Sequence, residues 1–133
     1  MKKDTQKFFE GVGRRKTATA RVRIFPGNTG FVVNGKDVNE YFKTEEQRLA
    51  AGKPLAKVTL PEKVSVSVKI SGSGLSAQAE AVSLGLARAI AKLDSTLVKG
   101  LKSNSLLTRD SRMVERKKPG LKKARRAPQW AKR

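Results

Sequence analysis

The sequence predicts an α+β domain followed by a basic arm. Three observations carry that expectation. Thr17–Phe25 and Val64–Ser71 alternate apolar and polar residues, the period of a half-buried strand. From about Ser76 to Leu93, Ala79, Val82, Leu86, Ala89, Ile90 and Leu93 fall on one helical stripe. The last 25 residues, Arg109–Arg133, hold 11 Lys or Arg against two acids, Asp110 and Glu115, a net +9. The expected architecture is a mixed β-sheet of about four strands with helices packed on one face. The domain is assigned to residues 1–107 and the arm to 108–133.

Taken in order, the first seven residues are polar and expected to fray. Phe8, Phe9 and Val12 suggest a short strand that ends in the glycines at 11 and 13. Gly13-Arg14-Arg15-Lys16 then reads as a basic turn. In the next strand Ala18, Ala20, Val22 and Ile24 face one way, and Thr17, Thr19, Arg21 and Arg23 the other. Pro26-Gly27-Asn28-Thr29-Gly30 is a turn cluster, Phe31–Val33 a short strand and Asn34-Gly35 a tight-turn signal. Residues 17 to about 38 are therefore expected to form a β-hairpin with a tail.

Asp37–Phe42 suggests one helical turn. Thr44 with Gln47 matches a capping box that opens a helix through about Ala51, closed by Gly52 and Pro54. Leu55–Leu60 is ambiguous. In Val64–Ser71 the residues Val64, Val66, Val68 and Ile70 point inward, and Ser65, Ser67, Lys69 and Ser71 outward. The long helix follows a small-residue turn at Ser71–Gly74, and its alanines suit close packing on a sheet. A shorter helix is expected from about Ser95 to Lys102, and Leu106-Leu107 fastens the chain before the arm departs.

Charge and composition bound the function. Thirty basic against 11 acidic residues give a formal +19. Self-repulsion at that charge favours a neutralising partner, and counterion release favours nucleic acid. No membrane partner is expected, because the amphipathic helix lies outside the basic block and no apolar run is long enough to span a bilayer. The chain has no Cys and no His, so disulfides, zinc fingers and His-based catalysis are excluded, and no metal or cofactor is expected. The start lacks the apolar core of a signal peptide, and Asp4 and Glu10 argue against a transit peptide.

The arm's apolar residues Met113, Val114, Leu121 and Trp130 are too few to offset an ordering cost of ~1–2 kcal/mol per residue. Extended, it would reach on the order of 80 Å. An RNA footprint is expected from Arg14, Arg15, Lys16, Arg21 and Arg23 on the domain. In the arm, Arg109, Arg112, Arg116, Lys117, Lys118, Lys122, Lys123, Arg125 and Arg126 continue it, with Trp130 as a stacking group. No leucine-zipper heptad and no RNP aromatics are present, so shape and phosphate reading of a folded RNA is favoured over sequence reading. Two other readings stay open. Ser71–Ala77 lies between a strand and a helix N-terminus and vaguely resembles the phosphate loop of the galactokinase–homoserine kinase superfamily, which would make the chain a small-molecule kinase. A general nucleic-acid-compacting protein is the other.

Four stretches carry a fuller resemblance. They are Gly11-Val12-Gly13-Arg14-Arg15-Lys16-Thr17-Ala18-Thr19-Ala20-Arg21-Val22; Asn34-Gly35-Lys36 with Tyr41-Phe42; Leu84-Gly85-Leu86-Ala87-Arg88-Ala89; and Leu107-Thr108-Arg109-Asp110 through Val114-Glu115-Arg116-Lys117-Lys118-Pro119-Gly120, then Lys123-Ala124-Arg125-Arg126-Ala127-Pro128-Gln129. Together, over nearly the whole chain from Phe8, they resemble the bacterial-type family of small-subunit ribosomal protein nine. The family's GGGxxGQ loop reads Ser71–Gln78 here, and its glycine before Leu-Thr-Arg-Asp falls at or near Ser105. The resemblance implies a fold related to the second domain of ribosomal protein five and a non-enzymatic role on the ribosome, in the cytoplasm or a plastid stroma. It implies binding to rRNA in the subunit head, beside neighbouring small-subunit proteins. It also implies an arm threading through RNA to the peptidyl-site tRNA, with Arg125 and Arg126 along the path and Lys132 and Arg133 at the tRNA.

Overall fold

A computed structural model describes residues 7–130. Five strands form one mixed sheet: β1 (Phe9–Arg15), β2 (Ala18–Pro26), β3 (Gly30–Val33), β4 (Lys36–Asp37) and β5 (Val64–Ser71), in the spatial order β1-β2-β5-β3-β4. The helices are α1 (Val38–Tyr41), α2 (Glu45–Ala51), α3 (Lys53–Lys57), α4 (Leu75–Leu93) and α5 (Val98–Ser103), with a 3₁₀ turn at Ser95–Leu97. The α+β class is as expected from the sequence; the sheet has one strand more than the four anticipated.

The alternation in β2 and β5 is realised. Ala18, Ala20, Val22, Ile24, Val66, Val68 and Ile70 are buried, and Arg21, Lys69 and Ser71 are exposed on the opposite face. On the inner face lies α4, which buries Ala81, Val82, Gly85, Leu86, Ala89 and Ile90. Its small residues let it sit against β1 almost backbone to backbone. A Cβ on Gly11 would fall 2.2 Å from the Gly85 carbonyl oxygen, and one on Gly13 would fall 1.8 Å from that of Ala81. Those glycines therefore do not end the strand. They run through it, and β1 continues to Arg15 because only glycine admits the helix there. The turn is correspondingly shorter than the expected Gly13–Lys16, and Lys16, at φ +52°, turns the chain into β2.

The hairpin expected over residues 17–38 does not form. β2 pairs with β1 and β5, and β3 pairs in parallel with β5, so β5 lies between the two stretches. The three residues that join β2 to β3, Gly27–Thr29, span the inserted strand. Gly27 N–H donates to the Lys63 carbonyl at 2.8 Å at one end of β5, and Asn34 N–H donates to Val68 at 2.8 Å near the other. The Asn34 side chain also acts as a piece of strand. Its amide nitrogen donates to the Ile70 carbonyl and its oxygen accepts from Ile70 N–H, both at 2.9 Å. The tight turn at Asn34-Gly35 joins β3 only to the two-residue β4.

Gly52 and Pro54 do not stop the helical path either. Gly52 caps α2 and begins α3, where Pro54 stands in the first turn and its missing N–H costs nothing. The ambiguous Leu55–Leu60 stretch thus begins as helix. After α5 the chain closes in a Schellman turn. Leu106 N–H donates to Leu101 and Ser105 N–H to Lys102, both at 3.0 Å, with Leu101 and Leu106 buried together. From Thr108 to Trp130 no helix or strand is present.

Candidate nucleic-acid interface

Cations collect on two surfaces, the outer face of the sheet and the arm. On the sheet, Arg14, Arg21 and Lys69 are exposed and Arg23 half-buried, and no helix covers this face among the described residues. The ladder places Arg21 directly across from Lys69, Arg23 across from Ser67 and Thr19 across from Ser71. Glu10 on β1 lies 3.3 Å from Arg21 Nε and 3.6 Å from Arg23 Nε, so it partly neutralises both. Lys69 has no ion-pair partner among the described residues. The Arg23 guanidinium stacks 4.6 Å from the Phe8 ring centre, and Phe8 in turn lies 5.8 Å from Phe25. Thr19, Arg21, Val32, Asn34, Gly35, Ser67, Lys69 and Ser71 line an open depression of about 550 Å³.

Arg15 stands apart from its neighbours. Strand parity turns Arg14 outward and Arg15 to the helix side, where only 13% of its side chain is exposed. Its Nε lies 2.6 Å from Glu80 of α4 and its Nη1 2.5 Å from Asp110 of the arm. Reading Gly13–Lys16 as a turn hides this parity, and with it the split between Arg14 and Arg15. Asp110 also accepts from the Arg112 backbone N–H at 2.9 Å and from its guanidinium at 2.8 Å. The Arg112 side-chain bond, then its backbone bond, and to a lesser degree Arg15, hold the Asp110 carboxyl well below the usual carboxylate range.

Along the arm, Arg109, Arg112, Arg116, Lys117, Lys118, Lys122, Lys123, Arg125 and Arg126 are all exposed, as is Trp130. Glu115 takes Lys118 at 2.7 Å and Arg125 at 2.8 Å, folding the arm back around Pro119-Gly120. Leu121 N–H donates to Lys118 at 3.2 Å and Lys122 N–H to Arg126 at 2.8 Å inside that loop. Arg109, Arg116, Lys117, Lys122, Lys123 and Arg126 have no acid partner among the described residues. Lys132 and Arg133 lie outside the described residues.

The Ser71–Ala77 loop is pinned from within. Gln78 donates its amide to the Gly72 carbonyl at 3.0 Å, and the Tyr41 hydroxyl donates to Gln78 Oε1 at 2.6 Å. Gly72, at φ +86°, is pressed so close to Thr17 that a Cβ would meet its carbonyl oxygen at 2.5 Å. Among the described residues, no three acidic side chains gather as a metal site, and no helix is long and apolar enough to cross a membrane. Lys69 and its serine neighbours were absent from the sequence-derived footprint. The alternation that turns Arg21 outward also turns Lys69 outward, but only the strand order brings them side by side.

A domain with one cationic sheet face and a basic arm rooted in its core is the build of a small ribosomal protein. The chain belongs to the ribosomal protein S9/S16 family, whose description matches residues 13–133. It is 54% identical over 124 residues to small ribosomal subunit protein uS9 of Tropheryma whipplei strain Twist, covering 92% of this chain and 80% of that protein. With the uS9 protein of Rhodopirellula baltica it shares 47% identity over 123 residues, covering 92% of this chain and 90% of that one. The family is one of structural constituents of the small subunit and not of enzymes, so the kinase reading of the Ser71–Ala77 loop is set aside.

Proposed function

We propose that the chain binds rRNA in the head of the small subunit, beside neighbouring subunit proteins, and reaches peptidyl-site tRNA with the end of its arm. The observation that supports this most is the arm itself. It leaves the domain at a buried leucine pair and exposes every described cation, six of them without an acid partner. A free chain gains nothing from such a layout, whereas a polyanion lying along it releases counterions at each contact. The head of the subunit and the tRNA come from the family resemblance, as does a place on the ribosome in the bacterial cytoplasm or a plastid stroma.

The test is tRNA filter binding to subunits that carry equal amounts of parent protein or a variant lacking Ala131–Arg133. Affinity at the peptidyl site should fall about ten-fold, equivalent to ~1.4 kcal/mol, and fall less in high salt. Equal affinities at low salt would remove the tRNA contact. Binding to one defined rRNA segment that survives high salt separates this reading from general nucleic-acid compaction.

A further inference from the structure

We infer that the outer face of the sheet is a seat for the minor groove of a double-stranded RNA segment. This goes one step beyond the rRNA-binding reading above and rests on it. The first ground is a conflict inside the ladder. Arg21 and Lys69 are direct cross-strand partners in the middle of a sheet, and like charges so placed destabilise the pair. Glu10 reaches the arginine side only. Asp37, on β4, is turned to cap α1 through the Asn39 N–H at 2.9 Å. An anion between Arg21 and Lys69 removes the conflict, and the phosphate backbone supplies anions at regular spacing.

The second ground is what stands between the cations. Thr19, Ser65, Ser67 and Ser71 put short hydroxyls on the same face, in register across β2 and β5. A hydroxyl both donates and accepts, as does the ribose 2′-OH, which A-form RNA displays along a wide, shallow minor groove. The third ground is what the face withholds. Single-stranded bases are held by stacking on open aromatic rings. Here Phe8 is engaged with Phe25 and capped by Arg23, at the edge of the face. The centre presents hydroxyls and charge, with the exposed Val32 side chain beside them, in a shallow depression that holds no aromatic ring among the described residues.

The full chain is titrated with an RNA duplex of about 16 base pairs, a DNA duplex of the same sequence and the single RNA strand. Circular dichroism melts confirm that each variant is folded. Replacing Arg21 and Lys69 by Ala should lower the log–log salt slope on the RNA duplex by about 1.8, two phosphate contacts. Replacing Ser67 and Ser71 by Ala should leave the slope alone and cut the preference for RNA over DNA by about five-fold, one ordinary hydrogen bond's worth. Tighter binding to the single strand than to the duplex would overturn the inference. So would parent-like slopes and preferences in both face variants when an arm variant (R116A/K117A/K122A/K123A) loses affinity; that pattern leaves the rRNA reading intact. Failure of the parent chain to bind either RNA would remove both.

Discussion

Arg15 and Asp110, 95 residues apart in sequence, meet at 2.5 Å and tie the end of the first strand to the root of the arm. Glu80 completes the group from the long helix. A basic arm is thereby held at its base by the one arginine of Arg14-Arg15-Lys16 that faces inward. The arrangement positions the arm and withdraws Arg15 from the open surface.

Arg15→Ala should free the arm's root and leave the domain folded. Trypsin should then cut after Arg109 and Arg112 faster than in the parent, with unchanged far-ultraviolet dichroism. Parent-like cleavage would mean that Leu106 and Leu107 hold the root unaided.

The Asp110 carboxylate also sets a pH dependence. The Asp110 carboxyl sits below its ordinary value of 3.8 because the Arg112 guanidinium and then the Arg112 backbone N–H donate to it and, to a lesser degree, because Arg15 lies beside it. A carboxyl depressed in the folded state contributes its full stabilisation above the ordinary value and loses it as pH falls through the lower one. The root should therefore stay tied at pH 4 and loosen only in stronger acid. Carboxyl NMR of Asp110 should show a midpoint below 3.8, and Arg15→Ala should raise it only partway, since the Arg112 bonds remain. A midpoint at the ordinary value would show that these bonds are not held in solution.

Ser105 is a second feature of the departure point. It adopts φ +56° in the Schellman turn after α5. A left-handed backbone costs a non-glycine residue roughly 1–2 kcal/mol, and glycine's greater freedom in the unfolded chain gives back about 0.5–1. Ser105→Gly should accordingly stabilise the domain by about 0.5 kcal/mol in urea unfolding; a loss of stability would mean that the serine hydroxyl makes a compensating bond.

Glycines elsewhere divide by what a Cβ would meet. Gly13→Ala drives a methyl into the Ala81 carbonyl and Gly85 backbone, and should cost about 3 kcal/mol as the helix is pushed off the strand. Gly100→Ala, whose methyl would rest 3.6 Å from Val58, should gain about 0.5 kcal/mol from helix propensity. Urea midpoints moving in the same direction for both would refute the backbone-contact account.

Arg14→Ala with Lys16→Ala should weaken binding to small-subunit RNA and lower its salt slope by about 1.4–1.8. Arg15 is left out because its charge is already met. An unchanged slope would return Arg14 and Lys16 to the solvent.

Local pattern determined a great deal of this protein. The alternation in Ala18–Ile24 and Val64–Ile70, the stripe of Ala79–Leu93 and the charge of Arg109–Arg133 are properties of short windows. Each dictates which side of an element is apolar, or that no side is. Strand order is not such a property. Nothing between Thr17 and Val33 announces that Val64–Ser71 will slip between β2 and β3, because the competing partner arrives some 30 residues later. The continuation of β1 through Gly11 and Gly13 was likewise decided from outside, by a helix whose Ala81 and Gly85 leave space for nothing larger. The pairing of Arg21 with Lys69 and the burial of Arg15 follow from those two tertiary choices. Residue type sets the charge, while the neighbours brought by the fold decide whether that charge is spent inside the molecule or offered outside it.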